Sequence, residues 1–207
     1  MKDIVRMVLT LVVISAVSAV GLAWVQDLTA ERIAEAVRQD TLKAIAAVLP
    51  PYDNAPDREA LVLSEQLYYP GRKGDALVGL ALQVNSPKGY GGDIEALVGI
   101  NPAGEVTGVR ILDHKETPGL GAKFTEPGFL RQFLGKSLGN AQWKVKKNGG
   151  DFDQITGATI TPSALLEAMH GGLETYRKDR ESVLEAVERS GVPEGRDAGP
   201  HGGEEKR

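Results

Sequence analysis

The chain reads as an α+β protein: one apolar N-terminal helix, a helical stalk, and a domain whose mainly antiparallel sheet is packed by helices. Three observations point there. An uncharged run extends from Met7 to Val25. Two segments with period-2 alternation, Ile94 to Ile100 and Val106 to Leu112, meet at the turn chemistry of Asn101-Pro-Ala-Gly104. A helical period then runs from Pro162 to about Arg189.

Residues 1–6 precede the apolar run and 7–25 form a predicted membrane anchor. Its 19 residues are just enough to cross a hydrocarbon core. Lys2 and Arg6 lie before it, whereas Gln26, Asp27 and Glu31 come after it, ahead of Arg32. By the positive-inside rule the N-terminus faces the cytoplasm and the rest lies outside the cytoplasmic (inner) membrane. Trp24 stands at the outer end, where interfacial aromatics are favoured. The alternative is a cleaved signal peptide using Ala16, Ser18, Ala19 or Gly21. Against it, the apolar run continues through Leu22 to Val25.

Residues 26–50 form the predicted stalk. Ile33, Ala34, Val37, Thr41, Ala44, Ile45 and Val48 recur at helical spacing, and Pro50-Pro51 ends the helix. The domain is expected over 51–190, with its core at 76–180. Residues 50–75 are turn-rich, with a short apolar piece at Leu61-Val-Leu63. Ala76 to Val84 is a predicted strand closed by Asn85-Ser-Pro87. Val109 and Ile111 are the expected inward positions of the strand after Gly104. Glu126 to Leu134 reads as a short helix and Trp143 to Val145 as a further strand before Asn148-Gly-Gly150. From Gly191 to Arg207 the tail is glycine, proline and charge, a composition that does not order itself.

Composition excludes several chemistries. Cysteine is absent from the 207 residues, which removes disulfides, thiolate catalysis, iron–sulfur clusters and C-x-x-C-H haem attachment. His114, His170 and His201 show no metal-ligand spacing, so no metal site is predicted. The formal charge of −4, without a basic stripe and interleaved aromatics, argues against nucleic acid.

The most specific stretch is Asp153-Gln-Ile-Thr156-Gly157-Ala158-Thr159-Ile-Thr161-Pro162-Ser163. A polar turn runs into a helix start, with Thr161 suited to the N-cap and Pro162 to the first helical position. Leu165, Ala168, Met169, Gly172, Leu173 and Tyr176 follow on one face. Free N–H groups and the helix dipole make such a start a seat for phosphate. A capped helix after a loop would look the same in composition. The second stretch is His114-Lys-Glu116-Thr117-Pro-Gly-Leu120-Gly121, whose glycines allow backbone to pass close to a ligand. Gly89-Tyr90-Gly91-Gly92 forms a third, between two strands.

Asp153-x-x-Thr156-Gly157-Ala158-Thr159 resembles the flavinylation motif Asp-x-x-Ser/Thr-Gly-Ala-Thr. Glu116-Thr-Pro-Gly-Leu-Gly121 and the Gly-Tyr-Gly-Gly turn resemble segments of the same family in the same order. From Gly89 to Tyr176 the chain is similar to the G subunits of Rnf-type electron transport complexes, relatives of the C subunit of the sodium-pumping NADH:quinone reductase. The resemblance implies an extracytoplasmic domain carrying FMN through a phosphodiester on Thr159, placed there by a flavin transferase. It implies Glu116, Thr117 and Leu120 as flavin-ring contacts. Gly157 and Ala158 would let the phosphate approach the helix start, with Thr156 and Thr161 alongside. Asp153 would assist the attack of Thr159, or serve as a recognition residue or loop cap. The implied role is electron relay among the membrane and redox subunits of a ferredoxin:NAD complex coupled to ion movement, with no catalysis by this component alone. The rival readings are a C-subunit-like component of a sodium-pumping NADH:quinone reductase, another extracytoplasmic FMN-binding protein, and a non-redox anchored adaptor.

Overall fold

A computed structural model describes residues 2–119 and 121–190, and the chain divides into two units, 1–41 and 42–207. The predicted tail from 191 lies outside the described residues. Helix α1 covers Lys2–Val48 without a break, so the predicted anchor and stalk are one element. In the first unit Ile4, Leu9, Val17, Leu22 and Trp24 are all exposed. A helix this apolar on every side matches lipid rather than water. It is the one helix among the described residues long and apolar enough to cross a membrane.

The second unit is built on five antiparallel strands in the order β1-β2-β3-β4-β5. These are β1 (Leu61–Leu63), β2 (Gln66–Lys73), β3 (Ala76–Ser86), β4 (Ile94–Ile100) and β5 (Val106–His114). Each pairs with its sequence neighbour, as short connections between antiparallel strands dictate. Two strands lie inside the stretch predicted only as turn-rich. Ser64 and Glu65 form the hairpin turn with φ of 48° and 62°, positions where Asn-Gly would have been the signal. Pro70 and the irregularity at Gly71/Arg72 break the alternation of β2. Trp143 to Val145 is not a strand. Val145 makes an isolated parallel bridge to Phe152, because the 3-10 turn Lys146–Asn148 and Gly149 interrupt the extended chain at once. The helix predicted over Glu126–Leu134 is α2 (Pro127–Leu130) followed by a 3-10 turn at Arg131–Phe133.

Helix α3 (Ile160–Ser190) covers one face of the sheet. Its Leu165, Leu166, Met169, Leu173 and Tyr176 are buried against Tyr68, Leu80, Leu82, Ala96, Val98 and Ile100. Gly172 lets it come close, since a Cβ there would lie 2.6 Å from Val84 Cγ1. At the far end the Arg72 guanidinium pairs with Glu59 at 3.1 Å and donates to the Val187 carbonyl. The opposite face of the sheet receives the end of α1. Ala44, Ile45, Val48 and Leu49 form a second cluster with Ala81 and Leu97. Glycines make the seat: a Cβ at Gly99 would lie 2.1 Å from the Val48 carbonyl oxygen, and one at Gly108 2.6 Å from Val48 Cα. Thr107 Oγ1 closes the contact by donating to the Val48 carbonyl at 2.6 Å.

Because the obstacle at Gly99 is backbone, Gly99→Ala forces the end of α1 off the sheet. We expect a loss of about 2 kcal/mol or more in unfolding free energy. A chemical-denaturation curve of the variant that overlays wild type would contradict the seat.

Candidate functional site

The site forms where the first turn of α3 meets the loops at one end of the sheet. Ile155 to Ala158 is a tight turn, closed by the Ala158 N–H on the Ile155 carbonyl at 3.0 Å. Gly157 takes a φ of 81° at its third position, which a side chain resists. Thr159 follows, and its carbonyl accepts the Ser163 N–H at 3.2 Å and the Ser163 hydroxyl at 2.9 Å. Thr159 therefore holds the N-cap position. The predicted cap at Thr161 and first helical position at Pro162 are two residues too late. The chain can turn helical earlier because a threonine at 159 is as favoured a residue type for the N-cap position as one at 161, and Pro162 is tolerated anywhere in a first turn, where no intrahelical acceptor awaits its missing N–H. Helix geometry leaves the N–H groups of Ile160 and Thr161 without an intrahelical acceptor.

A cavity of about 300 Å³ opens beside this helix start. Its lining brings together Gly157, Ala158, Thr159 and Thr161 with Glu116 and Thr117, as the motifs predict, and adds Tyr90, Gly121 and Ile160. Asp153 and Thr156 are exposed and do not line it. Leu120 lies outside the described residues. In the sequence, Tyr90 stands only as part of a glycine-rich turn. Its 74% exposure next to a cavity is the signal that the sequence lacks.

Glu116 explains why two glycine-bearing segments converge here. Its carboxylate is buried, and Oε1 accepts the Gly91 N–H at 3.1 Å. A Cβ at Gly89 would lie 2.9 Å from Oε1, and one at Gly121 2.5 Å from Oε2. The turn before β4 and the turn after Glu116 thus clasp one carboxylate. Oε2 is buried with no hydrogen-bond partner among the described residues, and so is the Thr161 hydroxyl. Both residues line the cavity, and an unpartnered buried polar atom is costly unless a ligand or water satisfies it.

These features fit a phosphorylated, partly apolar ligand. A 31-residue helix points its N-terminus at the cavity with a threonine hydroxyl on the rim. The volume is at the small end for ligand sites, enough for a phosphate and part of a flavin mononucleotide.

Residues 89–174 match the FMN-binding domain family, and residues 1–48 match the RnfG N-terminal region. The chain is similar to the G subunit of the ion-translocating oxidoreductase complex of Pseudomonas aeruginosa, with 40% identity over 85% of this chain and 90% of that one. The corresponding G subunit of Cereibacter sphaeroides is 37% identical over 82% and 83% of the two chains. A solved structure, the C subunit of the Na(+)-translocating NADH-quinone reductase from Parabacteroides distasonis, aligns with a TM-score of 0.47. Its identity is 23%, over 56% of this chain and 62% of that one. On the two nearly full-length sequence matches, the chain belongs to the family of G subunits of ion-translocating oxidoreductase complexes.

Proposed function

We propose that this protein is a membrane-anchored FMN carrier that relays electrons between subunits of an ion-translocating oxidoreductase of the ferredoxin:NAD type. The single observation that carries the reading is the Thr159 hydroxyl at the N-cap of α3, on the rim of a cavity lined by both family motifs. FMN, when bound, supplies reversible uptake of electrons that the side chains here cannot provide.

The protein's part is attachment and surroundings. Thr159 Oγ1 would hold the FMN phosphate as a phosphodiester, its hydroxyl replacing the nucleotide phosphate of a flavin dinucleotide donor. The leaving nucleotide phosphate would depart with the electron pair and the hydroxyl proton would pass to a base of the flavin transferase. No redox change accompanies the transfer. Gly157 and Ala158 leave the hydroxyl unobstructed, and the Ile160 and Thr161 N–H groups with the helix dipole hold the phosphate charge. Glu116 and Thr161, whose Oε2 and Oγ1 lack partners among the described residues, would hold polar groups of the cofactor. Thr117 and Tyr90 line the remaining wall, and Leu120 is proposed on the apolar surface of the ring. Asp153, away from the cavity, fits recognition by the transferase better than assistance to Thr159. Helix α1 inserts through Met7–Val25 with the N-terminus in the cytoplasm, leaving the domain outside.

Co-expressed with a flavin transferase, wild type should carry one covalent FMN by intact mass and Thr159→Ala none. Thr156→Ala should keep it, since Thr156 is outside the cavity. Flavin fluorescence surviving in denatured Thr159→Ala protein would refute the assignment.

Glu116→Gln removes an anionic acceptor near the cofactor, so electron uptake becomes easier. Its midpoint potential should rise, on the order of tens of millivolts, with the covalent FMN still in place. A potentiometric titration identical to wild type would mean that Glu116 does not face the flavin. For topology, a reporter fused after Arg207 should be active only outside the cytoplasm, and activity in the cytoplasm would reverse the orientation.

A further inference from the structure

Asp153 and Thr156 belong to the flavinylation string, yet neither lines the cavity. What holds the upstream end of that string is a side chain from a distant segment. The Asp153 N–H donates to Gln132 Oε1 at 2.6 Å. This bond fixes which way the Gln132 amide faces, because a backbone N–H requires an oxygen. Gln132 Nε2 is thereby turned inward, where it is buried with no partner among the described residues. A buried donor without an acceptor costs stability, and an apolar side chain of the same length would avoid that cost. The oxygen at the other end is what the position retains.

The neighbouring contacts point the same way. Phe152 is fully buried, with ring centroids 5.2 Å from Phe133 and 5.0 Å from Trp143, so the residue before Asp153 is immobilised. On the outer side Lys146 Nζ lies 2.8 Å from Asp153 Oδ1, with both side chains more than half exposed. A surface pair of this kind adds little to stability. Its effect is to set the direction of an exposed carboxylate. Downstream, the closed turn from Ile155 to Ala158 joins Asp153 to Thr159. The backbone of Asp153, its side chain and the turn after it are therefore each held separately.

We propose that Gln132 and Lys146 are positioning residues for the attachment of the cofactor. Gln132 fixes the backbone of Asp153, and Lys146 aims its carboxylate, so that the transferase meets Asp153 at a set distance from the Thr159 hydroxyl. The inference rests on the covalent-attachment reading above. Neither residue touches the cavity, so neither alters the flavin once it is in place.

The test follows covalent mass gain with time on the full apo chain in detergent, given flavin transferase and flavin adenine dinucleotide. Gln132→Met should slow transfer at least about tenfold, as small misplacements of reacting groups do. Its thermal unfolding midpoint should stay at the wild-type value, because one hydrogen bond and one orphaned N–H disappear together. Gln132→Glu, which keeps an oxygen for the Asp153 N–H, should transfer faster than Gln132→Met even though its second oxygen takes the buried place of Nε2. Lys146→Met should be slow and Lys146→Arg restored. In the apo Gln132→Met chain, hydrogen exchange at the Asp153 amide should accelerate, a readout that needs no flavin. Unchanged exchange or a wild-type transfer rate in Gln132→Met would overturn the positioning claim alone. Slow transfer shared by Gln132→Met and Gln132→Glu with a lowered unfolding midpoint would also overturn it. If wild type itself gains no mass, the attachment reading fails and this inference falls with it.

Discussion

Burial of α3 along the sheet is the contact on which the rest of the domain depends. Leu165, Leu166, Met169 and Leu173 give that helix its apolar face, and Gly172 lets it approach Val84. Once the helix lies there, its first turn comes to rest beside the start of β4 and the end of β5. Those strand ends carry the Gly89–Gly92 turn and the Glu116–Gly121 segment. The cavity is therefore a product of packing: three stretches far apart in sequence meet because one helix has one way to lie down.

The electrostatics of the site are mixed rather than uniform. A helix N-terminus offers positive potential and free N–H groups at Thr159. A buried carboxylate with an unpartnered oxygen stands on the same cavity. One arrangement suits an anion and the other a hydrogen-bond donor, and a nucleotide-like cofactor presents both. The glycines around Glu116 leave room for its carboxylate, since a side chain at Gly89 or Gly121 would intrude on its place.

Much of this was legible in the sequence, for reasons that can be named. The helical period of α3 is strong because one face is buried and the other is not. Strand β4 was legible as a strand, but its expected half-burial fails because α3 covers one face and the end of α1 covers Leu97 on the other. The motif residues Glu116, Thr117, Gly157, Ala158, Thr159 and Thr161 do share one cavity. The hairpin β1–β2 was hidden because Ser64 and Glu65 adopt left-handed φ without glycine or asparagine to announce it. Trp143 to Val145 has strand composition, but its aromatic ring packs on Phe152 and a 3-10 turn ends the extended chain immediately. The separation of Asp153 and Thr156 from the cavity was illegible, since a contiguous string gives no hint that a turn sends its two ends to different faces. Tyr90 and Gln132 escaped for a related reason: their roles come from partners remote in sequence.

Attachment of the cofactor at Thr159 is tested most directly by fragmentation mass spectrometry of the tryptic peptide Asn148–Arg177 from membranes of the native host. This peptide should carry one FMN, and backbone fragments should place it on Thr159. An unmodified peptide in a flavin-containing complex, or FMN located on Thr156 or Thr161, would contradict it.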